Sequence, residues 1–307
     1  MMKRPISAFI QMTLSSSSSA RAAAAQRIHN QTSNLSSKAV VKPTPKPLLP
    51  PKRVKIVRHG QAQHNPRAEA AREAGCSFDE FLRLMELDDA YDAELTELGE
   101  SQAETASRQY CLDDVELVVS SPLSRALKTA DLVHPPSDVF DATKKRRIAI
   151  EHFREINGKL LNAQRRPRED LIKKFPNWSF ETIPEQDESW TEELESREDC
   201  SERGYRGLLW LLQQPEENVL LVAHGGLLAY TMNDNADVVL VDGRRQSNKE
   251  NESDDEVRCI TKRFGNCELR EFIITAWDTT CDNSESKETN QVNPVITLEE
   301  ITLSSSS

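Results

Sequence analysis

"NVLLVAHGGLLAYTM", residues 218–232, is the stretch on which the fold turns. An apolar run suited to a buried strand stops at His224, two glycines follow, and the chain continues at once as a helix. A strand that passes directly into a helix is half of a βαβ unit, and repeats of it build a largely parallel sheet. A histidine where such a strand ends is costly unless something uses it.

Working outward, the same punctuation recurs. "RVKIV" (53–57) reads as a buried strand and ends in Arg58-His59-Gly60. "VELVVSS" (115–121) reads as a strand that turns through Pro122 into the helix "SRALKTADLV", with Arg125 in its first turn. "RIAI" (147–150) is a short strand followed by "EHFREING". Helices are expected over 78–87, from near Gly99 to Tyr110, and from near Trp190 to Gln214; "CELREFIITAW" is read as the last strand. The fold class is α/β, a three-layer α/β/α sandwich with a mostly parallel mixed sheet.

The 307 residues divide unevenly. Residues 1–52 are rich in Ser, Ala and Pro and hold no acid, the composition of a mitochondrial or plastid transit segment; a plain disordered tail in a cytoplasmic protein is the alternative. Residues 53–280 are expected to form one catalytic domain, with 246–257 a mobile acidic loop and 281–307 a disordered polar tail. No apolar run reaches the roughly 20 residues of a membrane helix. The net charge of −11, after a basic first 57 residues, makes the remainder strongly acidic and argues against a nucleic-acid partner. Six scattered cysteines without C-x-x-C spacing read as reduced thiols.

Ligands of open α/β sheets bind beyond the carboxyl ends of the strands, so the four strand ends should converge. They would bring together Arg58, His59, Arg125, His224 and a carboxylate, either Glu151 or Glu155. A cationic pocket in an acidic chain fits a tetrahedral oxyanion, because guanidinium groups bind phosphate in bidentate fashion. The chemistry that follows is attack by one neutral histidine on phosphorus. The arginines and the other histidine would stabilise charge, and the carboxyl, its pKa raised by the neighbouring anion, would protonate the leaving alcohol. No metal or cofactor is called for.

In the order "RHGQAQHN", "SSPLSRALKTA" and "VAHGG", these motifs resemble those of the histidine phosphatase superfamily, also called phosphoglycerate mutase-like. "DAELTELGESQA" (92–103) is similar to a further family segment. The resemblance implies that His59 is the phosphorylated nucleophile and that Arg58, Arg125 and His224 hold phosphate. Asn65 and Gly225 would make lesser phosphate contacts. "REINGKLLNAQRRP" resembles the plant and fungal mutase-like branch, which favours Glu155 over Glu151 as proton donor. By the same resemblance Arg165 and Arg166 would bind a second substrate charge; the alternative is that they pair with the nine acids of 185–202. The implied activity is hydrolysis of a phosphate monoester through phosphohistidine, with mutase-type phosphoryl transfer as the alternative and phosphate binding without turnover a further one. A small phosphate ester or a phosphoprotein could be the substrate. Gln61 and His64 depart from the family pattern.

Overall fold

A computed structural model describes residues 46–86, 90–136, 145–241, 262–278 and 294–301. Residues 1–45 of the expected transit segment, the acidic loop 246–257 and most of the polar tail lie outside the described residues.

Seven strands form one sheet in the order β3-β2-β4-β1-β6-β7-β5. They are β1 (Lys52–Arg58), β2 (Leu117–Ser120), β3 (Arg146–Ala149), β4 (Asn218–Ala223), β5 (Val238–Val241), β6 (Leu269–Trp277) and β7 (Val295–Ile301). β6 runs antiparallel to its neighbours β1 and β7; the other pairings are parallel. The mixed, mostly parallel sheet is as expected.

The helices are α1 (Asn65–Glu73), α2 (Phe78–Glu86), α3 (Glu97–Gln109), α4 (Ser124–Val133), α5 (Arg168–Lys174), α6 (Arg197–Leu212) and α7 (Gly225–Asn233). Strand alternation sends side chains to opposite faces and builds two cores. Val219, Leu221 and Ala223 of β4 pack with Leu208, Leu211 and Leu212 of α6 and Leu227 and Met232 of α7. Leu220 and Val222 pack with Ala103 and Ala106 of α3 and Ala126, Leu127 and Ala130 of α4. The small residues on α3 and α4 let those helices approach the sheet closely. A third, small cluster of Ala68, Met85 and Leu160 holds α1 and α2.

Three expectations change. The stretch assigned to a disordered tail contains β7, and "CELREFIITAW" is therefore not the last strand. β7 lies between β6 and β5, so its first four residues are buried; its last three are not. The Pro-rich segment is also not wholly outside the fold: Leu48 donates its N–H to Ala276 O at 2.9 Å, and Lys52 already belongs to β1. The long helix begins at Arg197 rather than near Trp190, because the Ser196 hydroxyl caps it by accepting the Asp199 N–H at 3.0 Å.

The topology decides where the chemistry sits. β1 pairs in parallel with β4, with Arg58 opposite Ala223, so the residues after each strand, His59 and His224, emerge side by side. β2 pairs with β4 on the other side, and β3 with β2, which delivers the α4 N-terminus and the 151–158 segment to the same edge.

Candidate active site

His59 is buried and its own N–H donates to Ala223 O at 3.0 Å, which locks the strand end. Its Nδ1 lies 2.7 Å from Gly60 O. A carbonyl only accepts, so Nδ1 carries the proton and Nε2 keeps its lone pair. The His224 ring lies 4.9 Å from that of His59, centroid to centroid, and both its nitrogens are buried without a partner. The His64 ring is 6.3 Å from His59. All three histidines are held well below the usual imidazole range. Burial is the main cause, and Arg125 adds to it at each. His59 is therefore a neutral imidazole in the free protein.

Gly60 matters for closeness rather than for a turn. A Cβ there would lie 2.5 Å from Gly99 O, at the start of α3. The Gly60 N–H donates to Thr129 Oγ1 at 3.1 Å. Gln61 completes the junction: its N–H donates to Gln102 Oε1, and its side-chain oxygen accepts from the Thr96 hydroxyl. That accounts for Gln61, which fastens the strand end to α3.

Arg125 is wholly buried. One guanidinium nitrogen donates to Asn162 O at 2.6 Å, while Nε and Nη2 have no partner. Burial pushes its pKa down to about 10, against support from Glu155 and Asp92. Two orphaned donors on a buried cation form a ready site for an anion. The α4 end that carries Arg125 is fixed by Asp92, whose carboxylate accepts from the Ser124 N–H at 2.9 Å and from its hydroxyl. Burial pushes the Asp92 carboxyl up, opposed by those hydrogen bonds. Asp92 sits in "DAELTELGESQA" but carried no role in the sequence reading; its contact with Ser124, 32 residues on, is made by the fold.

Glu155 reaches across to the N-terminus of α7. Oε1 accepts from the Ile156 and Leu227 N–H groups at 3.0 Å, and Oε2 from the Gly226 N–H at 3.2 Å. His224, the residue before α7, offers no side-chain cap, so Glu155 fills that role from a distant segment. Gly226 leaves the room: a Cβ there would press on the carboxylate. Arg203 of α6 fastens the Glu155 segment, donating to the carbonyls of His152, Arg154 and Glu155 at 2.9–3.1 Å while pairing with Glu195.

Glu151 is elsewhere occupied, in ion pairs with Arg165 at 2.6 Å and Arg154 at 3.2 Å. Arg165 does not reach the cavity. It is buried, and its nitrogens go to Glu151, Arg166 O, Pro184 O and Gln186 O. Arg166 pairs with Asp92 and Glu94. Both arginines are thus structural, and neither takes its acid from 185–202 through its side chain. That region instead supplies Asp187 to Arg154, at 2.6 and 2.8 Å. Gly225 opens α7, with Arg58 Nε and Arg263 Nε both close to where its Cβ would be. Asn65 opens α1, and its side chain lies outside the described residues.

Arg58, His59 and Glu155 line one cavity of about 430 Å³, together with Gln61, His64 and Arg263. The other two strand-end residues, Arg125 and His224, are wholly buried and are not among those that line it. Residues 54–254 match the model of the histidine phosphatase superfamily (branch 1). The chain belongs to this superfamily. It is 31% identical over 256 residues to phosphoglycerate mutase-like protein 1 of Arabidopsis thaliana, covering 74% of this chain and 83% of that one. Among solved structures it resembles a mycobacterial glucosyl-3-phosphoglycerate phosphatase with VO3 (20% identity, 74% and 96% coverage, TM-score 0.39). It also resembles the ecdysone phosphate phosphatase of Bombix mori with tungstate (14% identity, 79% and 98% coverage, TM-score 0.43). Both of these solved structures are named as phosphatases.

Proposed function

We propose that this protein is a phosphomonoesterase that works through a phosphohistidine at His59. The observation that carries the reading is the pairing of the His59 Nε2 lone pair, left free by the Nδ1 contact to Gly60, with the orphaned guanidinium donors of Arg125. Nε2 attacks phosphorus and the P–O bond to the alcohol breaks. Arg58, Arg125 and His224 stabilise the equatorial oxygens. Glu155 delivers a proton to the leaving oxygen; Oε2, with one longer hydrogen bond, is the oxygen assigned to it. In the second half Glu155 takes a proton from water, the water oxygen bonds to phosphorus, and the P–N bond breaks to release phosphate. No metal takes part in either half. The segments bearing Arg165 and Arg166 supply no second-anion clamp of the sort a mutase reading would draw on.

The test compares wild type with His59→Asn on a panel of phosphate esters, with phosphate release as readout. Wild type should turn over and trap an acid-labile, base-stable phosphoryl label on His59. Undiminished release by His59→Asn would overturn the reading.

A further inference from the structure

The expected second-charge arginines, Arg165 and Arg166, are tied down away from the cavity, yet the cavity holds other cations. Arg263 lines it and makes no side-chain hydrogen bond or ion pair with the described residues. It sits beside Arg58: a Cβ on Gly225 would be 3.1 Å from Arg263 Nε and 3.2 Å from Arg58 Nε, so the two nitrogens are no more than 6.3 Å apart. Arg72 of α1 lines the same cavity, stacked over Phe81 at 5.1 Å. Burial and the like charges of Arg72 and Arg58 press the Arg263 pKa down, while Glu155 and Tyr230 press it up. Arg58, Arg72 and Arg263 line one cavity with a single carboxylate, Glu155, among its lining residues, so a bound anion relieves the repulsion among them.

The rest of the wall is apolar. Phe81, Leu82 and Met85 of α2 face the cavity with Ile156, Leu160 and Tyr230. His64 adds one polar point there: it is buried and its Nδ1 has no partner. A cavity of about 430 Å³ suits a small molecule.

We infer that Arg263, supported by Arg72, is a second anion subsite, and that the substrate is a phosphate monoester whose compact apolar leaving group carries a further negative charge close to the phosphoryl group. The inference deepens the phosphomonoesterase reading and rests on it. Arg58 and Arg125 hold the phosphoryl group, Arg263 takes the second anion, and the α2 wall covers the apolar body. His64 Nδ1 meets a polar atom of that body.

The experiment uses the full chain with phenyl phosphate and 3-carboxyphenyl phosphate. Wild type should show a KM for the carboxylated ester lower by on the order of 10- to 100-fold, the worth of a charge-assisted contact. Arg263→Gln should erase most of that preference while raising the phenyl phosphate KM by less than about threefold, and Arg263→Lys should restore part of it. Equal KM values in wild type, or equal losses for both esters in Arg263→Gln, would overturn the subsite. Failure of wild type to hydrolyse either ester refutes the phosphomonoesterase reading instead. Calorimetric binding of the same two esters then still decides whether Arg263 prefers the carboxylated one.

Discussion

Glu155 and Gly226 allow the proton-transfer role to be separated from phosphate binding by a single methyl group. In Gly226→Ala the new Cβ would sit 3.1 Å from the Glu155 carboxyl carbon and closer still to Oε1. Non-bonded carbon pairs settle at about 3.5–4.0 Å, so the carboxylate must withdraw by about 0.5–1 Å. It cannot do so while accepting from both Gly226 and Leu227. Stability should barely register the change. A lost cap costs about 0.5–2 kcal/mol, and replacing glycine by alanine in a helix returns about 1 kcal/mol. The net shift is then within a few degrees of Tm for a chain this long.

Turnover should respond far more, because a misplacement near 1 Å can cost about 100-fold. Leaving-group dependence supplies the diagnosis. An alkyl ester needs its departing oxygen protonated, so Gly226→Ala should hydrolyse it about 100-fold more slowly, with no burst. A nitrophenyl ester departs unaided, so His59 should still be phosphorylated, and only the water step, which also needs Glu155, should slow. A rapid-quench experiment should therefore show a burst of one nitrophenol per site followed by slow turnover. Alkyl-ester turnover within about twofold of wild type, or a raised KM with kcat intact, would refute the proton-transfer role.

Arg125→Met removes the buried cation whose two unpartnered donors are assigned to phosphate. Inorganic phosphate should raise the Tm of wild type and not that of the variant; a phosphate-dependent shift surviving in Arg125→Met would contradict the assignment. Stability should fall on acidification. His59, His64 and His224 are depressed, and burial with Lys145 and Arg147 pushes His134 down to about 4. The unfolded chain binds protons at these positions from about pH 6.5 downward while the folded chain does not, so stability is full above pH 6.5 and is lost below it. Scanning calorimetry from pH 7.5 to 4.5 checks this, and His134→Gln should flatten the slope; a Tm that does not fall over that range would contradict neutral buried histidines.

The strand ends were legible because each breaks a local rule. An arginine or histidine closing an apolar run has no structural use, and such breaks after β1 and β4, with Arg125 in the helix turn after β2, point to one sheet edge. Glu155 was legible only through its motif, since a carboxylate after a short strand is ordinarily solvated. Arg165 misled because its motif spacing says nothing of partners: the chain folds back so that Glu151 and the carbonyls of Pro184 and Gln186 consume it. Arg263 was invisible for the converse reason. It becomes relevant only because β6 is laid against β1, bringing the segment before it beside Arg58, and that adjacency is a property of topology. β7 was hidden by its setting, a short apolar run within the otherwise polar residues 281–307, and its burial depends on being flanked by β5 and β6.

The unequal anchoring of the cavity walls has an evolutionary consequence. The reacting groups stand on a sheet welded by two large cores, whereas α1 and α2, which carry Arg72, Phe81, Leu82 and Met85, rest on a cluster of three buried residues. Substitutions in that helical pair draw little on the free energy of the whole fold and leave the strand ends untouched. Taste for a substrate can therefore drift, or be re-engineered by exchanging residues 65–86 as a cassette, while the reaction itself stays in place.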